Sequence, residues 1–148
     1  MPDKKYSIAV IGGTGALGFG LALRWAKSGH EIVIGSRAQE SADKGAQRLA
    51  ALAPEATVRG LVNDAAAEAA EIVVLTVPFA NQAPMLEAIK AGCQGKIMVD
   101  VTVPLMPPKV RTVHLPEHGS AGKGAQIFLG VGVRVVSAFQ NVAADHLT

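Results

Sequence analysis

The sequence predicts an α/β fold built on a doubly wound parallel sheet. Apolar runs alternate along the chain with amphipathic or Ala-rich stretches of helical length, an order that places helices between parallel strands. The apolar runs are continuous rather than alternating in polarity, which is typical of strands covered on both faces. A glycine-rich stretch follows the first of these runs. Because domains typically hold about 100–200 residues, we expect residues 1–148 to form one domain.

The first four elements alternate strand and helix. Residues 7–11 form an apolar run that predicts a strand, and residues 15–28 carry apolar side chains at helical spacing. Gly29 is a typical helix stop, and the apolar run at 30–35 predicts the second strand. Residues 39–53 are rich in alanine and other helix formers, so they predict the second helix.

The middle of the chain continues the alternation with shorter elements. Residues 57–61 predict a short strand, and residues 64–70 predict a short helix with Asp64 as its N-cap. The run EIVVLTV at 71–77 is the clearest strand signal, because β-branched residues fill it and Pro78 ends it.

The last third alternates in the same way around one irregular segment. Residues 81–91 predict a helix, and residues 96–103 predict a strand ended by a proline. Residues 104–118 hold four of the eight prolines and therefore predict a loop. Residues 120–128 predict a further helix, and residues 131–139 a last strand.

Composition and charge exclude several classes of partner. The chain is 49% hydrophobic but only 4% aromatic, so its core must be aliphatic. With a net charge of +2 and no basic cluster, we expect no nucleic-acid partner. The single cysteine, Cys93, excludes an internal disulfide and agrees with a reducing compartment. Since no apolar segment reaches the roughly 18 residues of a membrane span, we expect no membrane partner and a cytoplasmic protein.

The stretch IAVIGGTGALG, residues 8–18, is typical of a turn that binds a pyrophosphate. Gly12 would make the tight turn after the strand, Gly15 would let the backbone approach the anion, and Gly18 would let the helix pack closely. A frame that begins at Gly13 would place the turn one residue late. The amides of the helix N-terminus would then face the phosphates. The predicted dinucleotide contacts are Gly12, Gly13, Thr14, Gly15, Ala16, Leu17 and Gly18.

The end of the second strand indicates which dinucleotide binds. NAD-binding domains place an acidic residue there for the ribose 2′-hydroxyl, whereas this strand ends in Gly35, Ser36 and Arg37. A hydroxyl and a guanidinium suit a 2′-phosphate, because arginine grips a phosphate with paired donors. The pattern therefore predicts a Rossmann-type NADP-binding domain. The alternative is that Arg37 is an ordinary solvated surface residue.

The loops after the later strands hold the remaining candidates. Thr76, Val77 and Pro78 follow the clearest strand and predict contacts to the nicotinamide ribose, with Val103 and Pro104 in the neighbouring loop.

Two further features carry no assignment. Asp100 is explained as well by a polar cap at a strand end as by a catalytic acid, so we assign no catalytic residue. His114 and His118 are four residues apart, but the prolines around them argue against a helix. We therefore assign no metal site.

On these residues, the chain resembles the NADPH-dependent coenzyme F420 reductases, also called F420H2:NADP oxidoreductases. The resemblance rests on residues 8–37, on residues 74–78, and on the VVSA segment at 135–138. It implies hydride transfer between NADP(H) and the deazaflavin F420, a small-molecule co-substrate, with no general base required. It also implies that Thr14, Gly15, Leu17, Ser36 and Arg37 hold the NADP phosphates, that Thr76 and Pro78 lie against the nicotinamide, and that the segments after Pro104 and Ala138 face the deazaflavin.

Three departures from the family pattern matter. Ser41 stands where some members carry a lysine, and Lys44 is the nearby cation that we expect to replace it as a phosphate ligand. Gln140 stands where a histidine is often found. Family members continue into a C-terminal helical part that closes the site and builds a dimer, and we expect this part to be absent from residues 1–148.

The missing helical part would leave apolar surface exposed, so we expect a homo-oligomer. Two alternative functions stay open. One is a different NADP-dependent reductase, either of the imine or pyrroline type or a flavin-linked ferric reductase. The other is a module that binds NADP without turnover.

Overall fold

The computed structural model describes residues 3–108 and 111–147. Its strands are β1 (Ser7–Ile11), β2 (Glu31–Ser36), β3 (Val58–Val62), β4 (Ile72–Leu75), β5 (Ile97–Asp100) and β6 (Arg134–Ser137). Its helices are α1 (Ala16–Lys27), α2 (Gln39–Leu52), α3 (Asn63–Ala69), α4 (Gln82–Cys93) and α5 (Ala121–Leu129), with 3₁₀ turns at Phe79–Asn81 and Ala144–His146. The strands form one sheet in the order β3-β2-β1-β4-β5-β6, and each neighbouring pair is parallel. This arrangement confirms the predicted doubly wound, Rossmann-type fold.

Helices cover both faces of the sheet, and alternate strand residues point to opposite faces. From β1, Ala9 and Ile11 pack with α3, α4 and α5, whereas Ile8 and Val10 pack with α1 and α2. The largest side chain among the fully buried ones is Phe19, and the other large ones are aliphatic apart from Met98. The core is therefore aliphatic, as the composition predicts. Because both faces of the sheet are buried, the strand sequences are continuously apolar.

The strands occur in the predicted order; β1 has the predicted bounds, β2 and β3 each begin and end one residue later than predicted, and the last three strands are shorter than predicted. The predicted strand 71–77 shortens to Ile72–Leu75, and 96–103 shortens to Ile97–Asp100. The predicted strand 131–139 shortens to Arg134–Ser137, which pairs with β5 over just those four positions. Each strand ends where its neighbour in the sheet ends, so the apolar residues beyond that point belong to loops at the sheet edge.

The N-cap prediction for α3 is wrong. The helix begins at Asn63, directly after β3, and Val62 occupies the N-cap position without a side-chain cap. Asp64 is thus the second helical residue, and its Oδ1 accepts the N–H of the next residue, Ala65, at 2.9 Å. The chain passes from strand to helix with no intervening loop, so no position remains for a separate capping residue.

The segment after β5 is irregular, as predicted. Within its described part, an isolated antiparallel bridge joins Leu105 to Val113. Positions 109 and 110 of the predicted loop, and positions 1, 2 and 148 of the predicted domain, lie outside the described residues.

Cys93 lies in the core at the end of α4. Burial raises the pKa of its thiol to about 11, which disfavours the nucleophilic thiolate at neutral pH. Within residues 3–108 and 111–147, no helix has the length and apolar content needed to cross a bilayer.

Candidate functional site

A cleft of about 770 Å³ lies at the carboxyl ends of β1, β2 and β4. The chain runs from β1 outward to β3 and returns to β4 on the other side of β1, so the strand order reverses here. Ligands of doubly wound sheets bind at such a switch point. The lining residues are Gly12, Thr14, Gly15, Ser36, Arg37, Ala38, Ser41, Asn63, Thr76, Val77, Pro78, Asn81, Pro84 and Met85.

The glycine turn after β1 has the geometry of the frame that begins at Gly12. Gly12 has a φ of +74°, a conformation that favours glycine, directly after the last strand residue. The N–H of Gly13 donates to the carbonyl oxygens of Val10 and Gly35, at 3.1 and 3.0 Å. A Cβ at Gly13 would lie 2.7 Å from the Val10 oxygen. Gly13 therefore closes the turn inside the protein and does not line the cleft.

The two later glycines of the motif have different surroundings. Gly15 is the N-cap of α1, and a Cβ there would meet nothing closer than the Gly12 carbonyl oxygen, at 3.5 Å. A Cβ at Gly18 would lie against the Thr76 hydroxyl and 2.9 Å from the Gly12 oxygen. Gly18 thus permits close packing between α1 and the end of β4, while Gly15 leaves open space at the cleft.

The N-terminus of α1 is available to an anion. No side chain caps it, and the first N–H groups of a helix, here those of Ala16, Leu17 and Gly18, have no carbonyl partner within the helix. Thr14 and Gly15, directly before the helix, line the cleft, whereas Ala16, Leu17 and Gly18 are not among its lining residues. The macrodipole favours a phosphate at this position.

The end of β2 brings Ser36 and Arg37 to the cleft. Ser36 is buried and Arg37 is exposed. In the described part of the chain, no carboxylate forms an ion pair with Arg37. The lining residues named above include no carboxylate, histidine or lysine, so Arg37 is the one charged side chain among them.

Lys44 is not brought to the cleft. Its ammonium lies 2.6 Å from the carboxylate of Glu40, one turn earlier on α2, and both side chains are largely exposed. Ser41 lines the cleft instead. The prediction that Lys44 supplies a phosphate contact gains no support from this geometry.

The loop after β4 lies in the cleft, but the loop after β5 does not. The hydroxyl of Thr76 donates to the Ile11 carbonyl oxygen at 2.7 Å and joins the ends of β4 and β1. Val77 and Pro78 line the cleft beside it. The carbonyl oxygen of Val103 accepts from the N–H of Leu105 at 2.7 Å, and that of Pro104 from the N–H of His114 at 2.6 Å. Val103 and Pro104 thus lie within the loop and outside the cleft lining.

Sequence reasoning missed several lining residues, of which Asn63 has the most specific contacts. It follows β3 directly, is only 7% exposed, and accepts the N–H of Gly12 at 3.3 Å through Oδ1. Its signal was a polar residue at a strand end, the same signal that singled out Ser36.

Asp100 is a buried polar cap at the end of β5. One carboxylate oxygen accepts the N–H of Thr102 at 3.0 Å, and the other accepts the side-chain amide of Gln82 at 2.7 Å. The same Gln82 amide lies 3.1 Å from the Thr102 hydroxyl. Burial raises the pKa of Asp100, and its hydrogen bonds to Thr102 and Gln82 oppose that rise. Asp100 does not line the cleft.

This burial predicts a pH dependence of stability. Because burial raises the pKa of Asp100 in the folded state above its ordinary value of 3.8, ionisation of this carboxyl destabilises the fold. The contribution of Asp100 to the free energy of unfolding is therefore fully present below pH 3.8 and is lost as the pH rises through its folded-state pKa. We expect the free energy of unfolding of wild type minus that of Asp100→Asn to rise as the pH falls from neutral. Urea unfolding of both proteins at several pH values measures this, and a difference that stays flat or falls would contradict it.

Comparison with known proteins adds three findings. Residues 7–104 match the model of the family described as NADP oxidoreductase, coenzyme F420-dependent. The chain is 41% identical over 146 residues to the F420-dependent NADP reductase of Methanothermobacter marburgensis, covering 95% of this chain and 65% of that protein. It also aligns with the crystal structure of a protein from Arthrobacter sp. FB24, provisionally named an F420-dependent NADP reductase. That alignment has a TM-score of 0.76 and 29% identity, over 95% of this chain and 65% of the other.

The chain is shorter than the relatives that it matches. The chain spans just under two thirds of these relatives, and 63% of the corresponding protein of Methanocaldococcus jannaschii. A pyrroline-5-carboxylate reductase of Coxiella burnetii aligns with a TM-score of 0.65 at 17% identity, which is a likeness of fold alone.

Proposed function

The chain belongs to the family of coenzyme F420-dependent NADP oxidoreductases, and on that premise we propose that it binds NADP(H) and transfers a hydride between the nicotinamide and the deazaflavin F420. The observation that carries this proposal is the cleft, where a glycine turn, an uncapped helix N-terminus and a single cation converge. Such a cleft suits a molecule with a pyrophosphate at one point and an additional phosphate at another.

The charge of the cleft lining supports NADP over NAD. An acidic residue at the end of β2 would favour a ribose 2′-hydroxyl, and Ser36 and Arg37 stand there instead. The guanidinium of Arg37 can donate paired hydrogen bonds to a 2′-phosphate. We propose Ser36 and Arg37 as the ligands of that phosphate, and the amides of residues 14–18 as the ligands of the pyrophosphate.

The side chains of the cleft also suit hydride transfer. Bound NADPH would supply the hydride, and the deazaflavin would accept it together with a proton from solvent. This chemistry requires two rings held face to face rather than an acid or base on the protein. Thr76, Val77 and Pro78 lie at the end of the cleft opposite Arg37 along the sheet order and offer small, mainly apolar surfaces. We propose that they bound the nicotinamide.

The proposal is tested by mixing the protein with NADPH and oxidised F420 and following the visible absorbance of the deazaflavin. We expect bleaching together with NADPH oxidation. If NADPH is oxidised only in the presence of a cyclic imine, or only in the presence of a flavin and ferric iron, that compound and not F420 is the hydride acceptor. Saturable NADPH binding without oxidation by any of these acceptors would instead indicate a binding module.

We further propose that the chain forms a single domain, acts in the cytoplasm and assembles into a homo-oligomer. A single buried cysteine is consistent with a reducing compartment. Apolar side chains are exposed on α5, on β6 and in the turn between them, with Ile127 at 55%, Val136 at 45% and Val131 fully exposed. Exposed apolar surface of this kind favours association. Sedimentation velocity would distinguish an oligomer from a monomer.

A further inference from the structure

Asn63 connects the glycine turn to the floor of the cleft. It is the first residue of α3 and lines the cleft, yet only 7% of it is exposed. Its Oδ1 accepts the N–H of Gly12 at 3.3 Å. The backbone of the turn therefore depends in part on a side chain 51 positions later in the sequence.

In the described residues, the side-chain amino group of Asn63, at Nδ2, is a hydrogen-bond donor without an acceptor. Because the Gly12 N–H is a donor, the atom that faces it must be the oxygen, and Nδ2 must point elsewhere. Across residues 3–108 and 111–147, Nδ2 has no hydrogen-bond partner, and every side-chain nitrogen or oxygen sealed from solvent does have one. Nδ2 must then border open space, and the space that Asn63 borders is the cleft.

The neighbours of Asn63 indicate which part of a dinucleotide it would meet. The Oδ1 atom lies only 2.8 Å from where a Cβ at Gly35 would stand, so Asn63 is packed against the end of β2. It thus sits between the turn at Gly12 and the pair Ser36 and Arg37. On the proposed binding mode, this is where the chain of ribose and phosphate groups of the adenosine half would pass.

We propose that Asn63 is a positioning and specificity-determining residue for the dinucleotide. Its Oδ1 holds the turn at Gly12, and its Nδ2 donates to a ribose or phosphate oxygen of the adenosine half. The inference rests on the proposed NADP binding. A buried amide with an unmatched donor selects for an oxygen acceptor, because a ligand without one would leave that donor unpaired.

The decisive variant is Asn63→Asp, which keeps an oxygen for the Gly12 N–H but replaces the donor by an anionic acceptor. We expect the dissociation constant for NADP, measured by calorimetry, to rise at least tenfold, because the variant loses a hydrogen bond and places a carboxylate against the ligand oxygen that accepted it. Asn81→Asp is the matched control, since Asn81 lines the same cleft but is exposed. Asn81→Asp should weaken NADP binding much less than Asn63→Asp does. An equal loss of NADP affinity in both variants would mean that the added charge causes the effect, and it would overturn the proposal.

The ligand oxygen can be identified with the same variant. If Asn63→Asp loses affinity for NADP alone, the oxygen that accepts from Nδ2 lies on the 2′-phosphate. If it loses affinity equally for NADP, NAD and ADP, that oxygen lies on the ribose or the pyrophosphate. If wild type binds NADP and Asn63→Asp binds it equally well, the role of Asn63 is refuted while the proposed function stands. If wild type itself does not bind NADP, the proposed function fails instead.

A measurement on wild type covers the case in which Asn63→Asp does not fold. In ¹⁵N-labelled protein, the side-chain NH₂ signals of Asn63 should shift when NADP is added, and those of Asn141, which lies outside the cleft lining, should not. Unshifted Asn63 signals at saturating NADP would overturn the proposal.

Discussion

Replacing Arg37 by alanine should weaken NADP binding roughly tenfold to a hundredfold, because charge-assisted hydrogen bonds contribute about 1.5–3 kcal/mol each. In the described structure, Arg37 has no carboxylate partner to satisfy its guanidinium, and it is the one charged side chain in the cleft lining. NAD lacks the 2′-phosphate, so its dissociation constant should change by no more than about twofold. Calorimetric titration of both dinucleotides measures the ratio.

Arg59→Ala is the matched control for Arg37. Arg59 is also exposed and lies on β3, but it pairs with Glu31 at 3.5 Å and does not line the cleft. We expect it to leave the affinities for NADP and NAD unchanged. An unchanged NADP affinity in Arg37→Ala, or an equal loss for NAD, would mean that Arg37 does not read the 2′-phosphate.

Gly18→Ala should lower the free energy of unfolding, by about 1–3 kcal/mol, as is typical when a methyl group is forced into a packed site. The new Cβ would press on the Thr76 hydroxyl and on the Gly12 carbonyl oxygen. Alanine also gains roughly 0.5–1 kcal/mol over glycine inside a helix, but the clash with backbone should outweigh that gain. Urea unfolding measures the net change, and a stabilised variant would show that α1 can move away from β4.

Gly15→Ala is the counterpart that separates binding from folding. Its φ is −73° and the space around its Cβ is open, so we expect a loss of stability below about 1 kcal/mol, the scale of a changed N-cap. The methyl group would instead occupy space at the cleft, and NADP binding should fall at least tenfold. Unchanged binding would mean that the pyrophosphate does not approach Gly15.

The sequence was most informative where several local signals agreed. β1 ends at Ile11 as predicted, and the turn follows at Gly12, because an apolar run, a glycine and a helical pattern occur in succession there. The ends of β4 and β5 were extended too far, since β-branched residues continue past the point where the neighbouring strand stops. Strand length in a sheet depends on the partner strand, which local composition does not encode.

Contacts between distant segments were beyond the reach of local patterns. The bond from Asn63 to Gly12 and the contact of Gln82 with Asp100 join elements that only the folded sheet brings together. Lys44 shows how a local pattern can also favour a contact that the folded geometry does not support. It was the nearest cation in sequence to the expected phosphate, but Glu40 is four residues earlier on the same helix and pairs with it.

The contact between Asn63 and Gly35 restricts how this protein could evolve or be redesigned. With the Asn63 oxygen 2.8 Å and the Val10 carbonyl oxygen 3.1 Å from the space of a Cβ at position 35, any side chain at 35 would press on both Asn63 and the β1 backbone, so we expect homologues to keep glycine there. Attempts to change the preferred coenzyme would then succeed more readily at 36 and 37. A substitution at position 35 would disturb the glycine turn through Asn63 before it altered selectivity.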